Sequence, residues 1–152
     1  ERRHVFGERD EETGKKVKAA VRAGLSPMLC VGETLAEREQ GRTEEVVLRQ
    51  LRAGTAEIEP SQMVGMLVAY EPVWAIGTGK TATPGDASVI HAVIRAELAG
   101  MVGERAKGIP ICYGGSVNRG TAASLLEAGD VDGLLVGGAS LDSEGWSSIV
   151  RT

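Results

Sequence analysis

With 152 residues, 42% hydrophobic and 25% charged, the chain is long enough for one domain with a sizeable core. A formal net charge of −4 argues against nucleic acid or an anionic membrane as partner, because both need a basic surface, so any phosphate must be held by local groups. No run of about 18 apolar residues offers a membrane span, and the first residues lack the architecture of a signal peptide, which points to the cytoplasm. Cys30 and Cys112 lie far apart without metal-ligand spacing and read as two buried free thiols in a reducing compartment, with no metal. Glu1-Arg2-Arg3-His4 reads as the middle of a longer chain, solvated or ion-paired.

The pattern predicts a helix over residues 10–23, with Val17, Ala20 and Val21 on one side and Gly24 as its stop. Residues 27–31 form a continuous apolar run, which suits a parallel strand covered on both faces by helices. Gly32-Glu33-Thr34 turns the chain, and Thr34-x-x-Glu37 fits a capping box. A charged helical stretch follows to Arg52, broken at Gly41, with Val47, Leu48 and Leu51 as its buried stripe. Residues 66–70 make the next strand. Thr83-Pro84 then starts a helix with proline at its first position and an apolar face of Ile90, Val93, Ile94, Leu98 and Met101. His91 points off that face and reads as a surface histidine. Residues 109–113 are a third strand, followed at once by Gly114-Gly115-Ser116, and Asn118 caps a helix over 119–128. Residues 134–136 are a fourth strand, Gly137-Gly138-Ala139-Ser140 follows, and a last helical piece reaches Trp146 and Ile149. Four repeats of strand, turn and helix predict an α/β fold with a parallel sheet, either barrel or doubly wound.

The stretch with most chemistry is Tyr70-Glu71-Pro72-Val73-Trp74-Ala75-Ile76-Gly77-Thr78-Gly79-Lys80-Thr81-Ala82-Thr83-Pro84. Glu71 ends an apolar run and would stand at the C-terminal mouth of its strand, where parallel α/β folds keep their chemistry. Trp74 and Ile76 are placed to cover the carboxylate, raising its pKa toward the range a general base needs. Gly77 and Gly79 permit backbone conformations that a closing flap would use. The plainer reading, an edge carboxylate in a salt bridge, ranks behind. Glu33 ends its strand similarly but stands in a helix's first turn, where the dipole alone favours an acid, so it reads as structural. Lys80 reads as a surface charge at the flap's tip.

Three glycine turns, Gly77-Thr78-Gly79, Gly114-Gly115-Ser116 and Gly137-Gly138, offer backbone amides to a phosphate. Any one alone reads as a tight turn; three together favour phosphate, and in a closed barrel the last two are neighbours. Gly79-Lys80-Thr81 looks like the end of a P-loop, but Trp74 stands where that motif needs glycine. Gly77-x-Gly79-x-x-Ala82 fits a dinucleotide fingerprint, yet Glu97 lies inside a helical stripe and not at a strand's end. A dinucleotide-binding oxidoreductase therefore ranks below aldose–ketose chemistry.

Residues 70–84, taken with Cys30-Val31-Gly32-Glu33, Tyr113-Gly114-Gly115-Ser116 and Leu135-Val136-Gly137-Gly138-Ala139-Ser140, closely resemble the triosephosphate isomerases of bacterial type. Glu1-Arg2-Arg3 looks like the tail of that family's His-Ser-Glu-Arg-Arg segment, and the resemblance runs in order along the whole chain. It implies a partial (β/α)8 TIM barrel carrying roughly the last four strand–helix units, with residues 1–152 as the C-terminal part of one domain of about 250 residues. It implies an isomerase of glycolysis and gluconeogenesis that interconverts dihydroxyacetone phosphate and glyceraldehyde 3-phosphate through an enediolate. Glu71 would be the base, Glu1 the acid beside a substrate-binding lysine, and residues 72–82 the mobile flap. Gly77, Ser116, Gly137 and Gly138 would donate amides to the substrate phosphate. A glutamate base paired with a neutral histidine and a closing flap is this family's own known chemistry, and the resemblance implies it for Glu71 and residues 72–82. No cofactor or metal is implied, since both proton transfers are internal, and whole-length members are homodimers. The family's electrophilic histidine and its substrate-holding asparagine and lysine match no position in this sequence, and His4 follows Glu-Arg-Arg instead of preceding it. The chain alone is therefore expected to be inactive. The alternative from a different class is a non-catalytic barrel fragment or phosphate-binding remnant.

Overall fold

The apolar runs pair side by side in the computed structural model, which describes residues 1–76 and 82–152. Strands β1 (Met28–Val31), β2 (Leu67–Tyr70), β3 (Ile111–Tyr113) and β4 (Gly133–Leu134) form one parallel sheet in chain order. The strand order never reverses, as in a barrel, whereas a whole doubly wound sheet switches direction at its centre.

Register explains which side chains are buried. Leu29, Val68 and Ile111 share one row and Val31, Tyr70 and Tyr113 another, all of them buried. Each such aliphatic side chain contributes about 1.5–3 kcal/mol by leaving water. The pleat sends the alternate residues, Met28 and Cys30, to the opposite face, where both are exposed. Two expectations are corrected: β1 is covered on one face, and of the two free thiols only Cys112 is buried.

Helices α1 (Asp10–Arg22), α2 (Leu35–Glu39), α3 (Thr43–Thr55), α4 (Pro60–Met63), α5 (Pro84–Val102), α6 (Ala122–Leu126) and α7 (Ser143–Val150) complete the described fold. Helix α3 packs on α1, β1 and α5, and α5 packs on β2 and β3. The reciprocal cap of α2 forms as expected, with Glu37 N donating to Thr34 Oγ1 at 3.3 Å and Thr34 N to Glu37 Oε2 at 2.8 Å. Thr83 and Asp86 cap α5 in the same way, and removing a threonine cap costs about 1 kcal/mol. The stripe of α3 is shifted from its predicted phase: Val46, Val47, Gln50 and Leu51 are buried and Leu48 only half so. Helix α6 is shorter than predicted, because Asn118 Oδ1 accepts from Gly120 N at 2.8 Å and forms a local turn before Thr121. Strand β4 is likewise shorter, and begins one residue earlier than the predicted run. Near the first residues Arg2 pairs with Glu8 at 2.7 Å and Arg3 with Asp10, so the basic segment is ion-paired. Among the described residues no helix is long and apolar enough to cross a membrane.

His91 is the largest correction to the helices. It is 0% exposed, because Ala87, His91, Ile94, Leu98 and Val102 form the inward stripe of α5. Its Nδ1 lies 3.0 Å from the Asp130 carbonyl oxygen, which can only accept, so Nδ1 carries a proton. The Tyr70 and Tyr113 rings flank it, with centroids at 5.9 and 6.4 Å. Burial holds its pKa below the usual 6.5, against the opposing pull of the Asp130 carbonyl and the Asp132 charge. Since the folded state resists protonation, its stabilising effect is fully present above the unfolded value near 6.5 and is lost as pH falls below it. The expected outcome is a steeper loss of denaturation midpoint from pH 7 to pH 5 in the parent than in His91→Asn, which keeps a donor without titrating there; parallel slopes would show that His91 is not responsible.

Candidate active site

Backbone pairing carries the sheet one step past its strands and places Glu71 at their carboxyl ends. Glu71 N donates to Val31 O at 2.8 Å and Gly114 N to Tyr70 O at 2.8 Å. Pro72, at φ −61°, then turns the chain into a 3₁₀ turn, Val73–Ala75. Glycine is required on both sides of the glutamate. A Cβ on Gly114 would stand 2.5 Å from Glu71 Cγ, and one on Gly32 would overlap the Glu71 carbonyl oxygen.

Burial raises the Glu71 pKa above the usual carboxylate value, a hydrogen bond from the Cys30 thiol opposes it, and the Glu1 charge adds to it. Glu1 is thus close enough for its carboxylate to act on Glu71, although the residue is exposed. The Cys30 sulfur is tucked against Glu71 even though the residue as a whole is exposed. Desolvation and then the Glu71 charge push the thiol up to about 12, so it stays protonated and donates.

Trp74 and Ile76, the two side chains expected to cover Glu71, have different surroundings. Trp74 Nε1 donates to Glu33 Oε1 at 2.8 Å, and Ile76 is exposed. Glu33, read from the sequence as a helix-dipole acid, is 0% exposed and accepts from Tyr70 Oη at 3.1 and 3.2 Å as well. Burial, with the Glu33 charge, drives the Tyr70 hydroxyl above its usual range and keeps it a donor. The signal that would have found Glu33 is register. Pairing Val31 with Tyr70 sets Glu33 level with Pro72, between the polar tips of Tyr70 and Trp74, two donors that need an acceptor when buried.

Two of the three glycine turns lie within the described residues. Ser116 Oγ donates to Ala75 O, tying the turn after β3 to the chain that leaves Glu71. Leu135 N donates to Tyr113 O at 2.8 Å, which extends the ladder toward Gly137, and Gly138 opens the 3₁₀ turn Gly138–Leu141. A Cβ built on Gly137 or Gly138 meets no described atom within 4 Å, so the space beside both is open. Gly77, Thr78, Gly79, Lys80 and Thr81, the middle of the expected flap, lie outside the described residues, while Ala82 at its end is buried.

A parallel sheet wound in chain order, with a desolvated carboxylate and glycine turns at the strands' carboxyl ends, defines a protein of the α/β-barrel class. Within that class the model of the triosephosphate isomerase family matches residues 1–152, and the chain belongs to this family. It is 55% identical over 151 residues to the triosephosphate isomerase of Moorella thermoacetica, covering 99% of this chain and 61% of that protein. The triosephosphate isomerases of Endomicrobium trichonymphae and Pseudomonas paraeruginosa are 50% and 52% identical, with 99% of this chain and 60% of each relative covered. The chain thus spans about 60% of the length of the curated relatives it matches.

Proposed function

We propose that residues 1–152 are the C-terminal part of a single barrel domain, and that the whole domain interconverts dihydroxyacetone phosphate and glyceraldehyde 3-phosphate. The observation that carries this reading is Glu71, a carboxylate with a raised pKa at the mouth of the sheet, wedged between Gly32 and Gly114. Deprotonated, it takes a proton from the carbon beside the substrate carbonyl to give an enediolate, then returns it to the neighbouring carbon. Oxygen charge in the enediolate needs donors outside this sequence, and Glu1, whose charge adds to the raised Glu71 pKa, is the acid of the site. The phosphate is held by amides of Gly77, Ser116, Gly137 and Gly138, which suits a chain of net charge −4. The family also supports a homodimer in the cytoplasm. The test joins these residues to the N-terminal portion of the Moorella relative and follows glyceraldehyde 3-phosphate conversion in a coupled assay; a folded chimera without turnover would overturn the proposal.

A second expected result concerns the phosphate. Gly138→Val in that chimera places a side chain where the phosphate would sit, while a Cβ there meets no described atom within 4 Å. The fold should therefore tolerate it, and KM should rise at least about tenfold, equivalent to about 1.4 kcal/mol of lost binding. An unchanged KM would reduce the turn after β4 to a turn.

A further inference from the structure

Helix α2 carries one side chain, Arg38, whose guanidinium meets residues on both sides of positions 77–81. Its Nη2 lies 3.0 Å from Asp86 Oδ1, its Cζ stands 4.5 Å from the centroid of the Trp74 ring, and its Nη1 is 3.8 Å from Glu33 Oε1. Both contacted residues are anchored in turn. Asp86 Oδ2 accepts from Thr83 N at 3.0 Å and from Thr83 Oγ1 at 2.7 Å, closing the cap that starts α5. Trp74 Nε1 donates to the buried Glu33 carboxylate, and Val73 N donates to the Glu33 carbonyl oxygen at 3.0 Å. The stretch leaving Glu71 and the stretch entering α5 therefore converge on one cation.

Isolated ion pairs at this exposure contribute little, and Arg38 differs by combining three contacts. A planar guanidinium can lie on an indole face and present a separate N–H edge to a carboxylate, whereas an ammonium concentrates its charge at one point. The fully buried Glu33 supplies a third, electrostatic restraint. We propose that Arg38 is a positioning residue that couples Trp74 to the Thr83–Asp86 cap, so that a disturbance on one flank is transmitted to the other. It acts through Trp74 and Asp86. Its consequence for Glu71 rests on the proposed isomerase function, but the coupling itself does not.

The test uses the 152-residue chain with Trp146→Phe, which leaves Trp74 as the single tryptophan reporter. Acrylamide quenching of its emission is compared in the parent, Asp86→Asn, Arg38→Met and the double variant, with far-UV circular dichroism as the control for fold. Asp86→Asn, on the opposite flank, is expected to raise Trp74 quenching about twofold, as expected for loosening a cation stacked on the indole. In the Arg38→Met background the same change should add nothing, the non-additivity of residues linked through a shared partner. If Arg38→Met does not fold, Arg38→Lys takes its place in the cycle, where the Asp86→Asn effect should shrink because an ammonium couples the two contacts poorly. Trp74 quenching unmoved by Asp86→Asn, or moved equally whatever stands at position 38, would overturn the proposal. Turnover is not the readout, so failure here leaves the isomerase reading standing, and failure of that reading leaves this coupling intact.

Discussion

Glu71→Gln, placed in a chimera that joins these residues to the N-terminal portion of a relative, is expected to lower kcat by about 10³-fold or more, at the strong end of general acid–base effects. KM should stay within about twofold, because the substitution keeps the size of the side chain and removes only its ability to accept a proton from carbon. The surroundings favour a clean comparison. The glutamine keeps an oxygen for the Cys30 thiol, and its methylenes fit the space that Gly114 leaves open. A pH signature accompanies the loss. Only the deprotonated carboxylate can act, so kcat/KM of the parent falls as pH drops through a Glu71 pKa that burial has raised above 4.5. That acid limb should vanish in whatever activity the glutamine variant retains. Turnover near the parental value would remove Glu71 as the base.

The sequence alone showed the parts of this site whose cause is local. A capping threonine followed by an acid three residues on, proline at a helix's first position, and an apolar run ending in a single carboxylate all act within a few residues. Thr34–Glu37, the start of α5 at Thr83-Pro84 and Glu71 stand where those signals put them. What could not be read depended on how elements face one another. Helix α5 has apolar or small residues on most of its surface, so a stripe through Val93 and Met101 looked as good as the true one through Ala87 and His91. The pleat of β1 decided that Cys30 and not Leu29 would be exposed, and a uniformly apolar run carries no sign of that choice. Glu33 is the most telling case. Its environment comes from Tyr70 and Trp74, about 40 residues away, and only the β1–β2 register brings them together. Trp74 consequently turns its indole N–H to Glu33 and its ring face to Arg38.

A polypeptide of these 152 residues alone is expected to convert no triose phosphate above background, for two independent reasons. The first is chemical. Glu71 can take a proton, but the enediolate oxygens then find no histidine or lysine donor among the residues the family resemblance assigns, and losing one such donor typically costs about 10²–10³ in rate. Losing several multiplies that penalty. The second is structural. The described sheet has four strands, so β1 and β4 each offer an unpaired edge, and Met28 and Cys30 present an uncovered face beside β2. An eight-stranded barrel closes both edges and fills that face with its own layers of side chains, which also hold the strand ends that aim Glu71. The measurement mixes the purified 152-residue chain with a separately produced N-terminal portion of the Moorella relative and follows glyceraldehyde 3-phosphate conversion in the coupled assay. Activity that appears only in the mixture, and disappears again when the 152-residue component carries Glu71→Gln, would assign the base to this chain and the missing donors to its complement. Family-like turnover by the chain alone would mean that four strands suffice to build the site, and would refute both reasons at once.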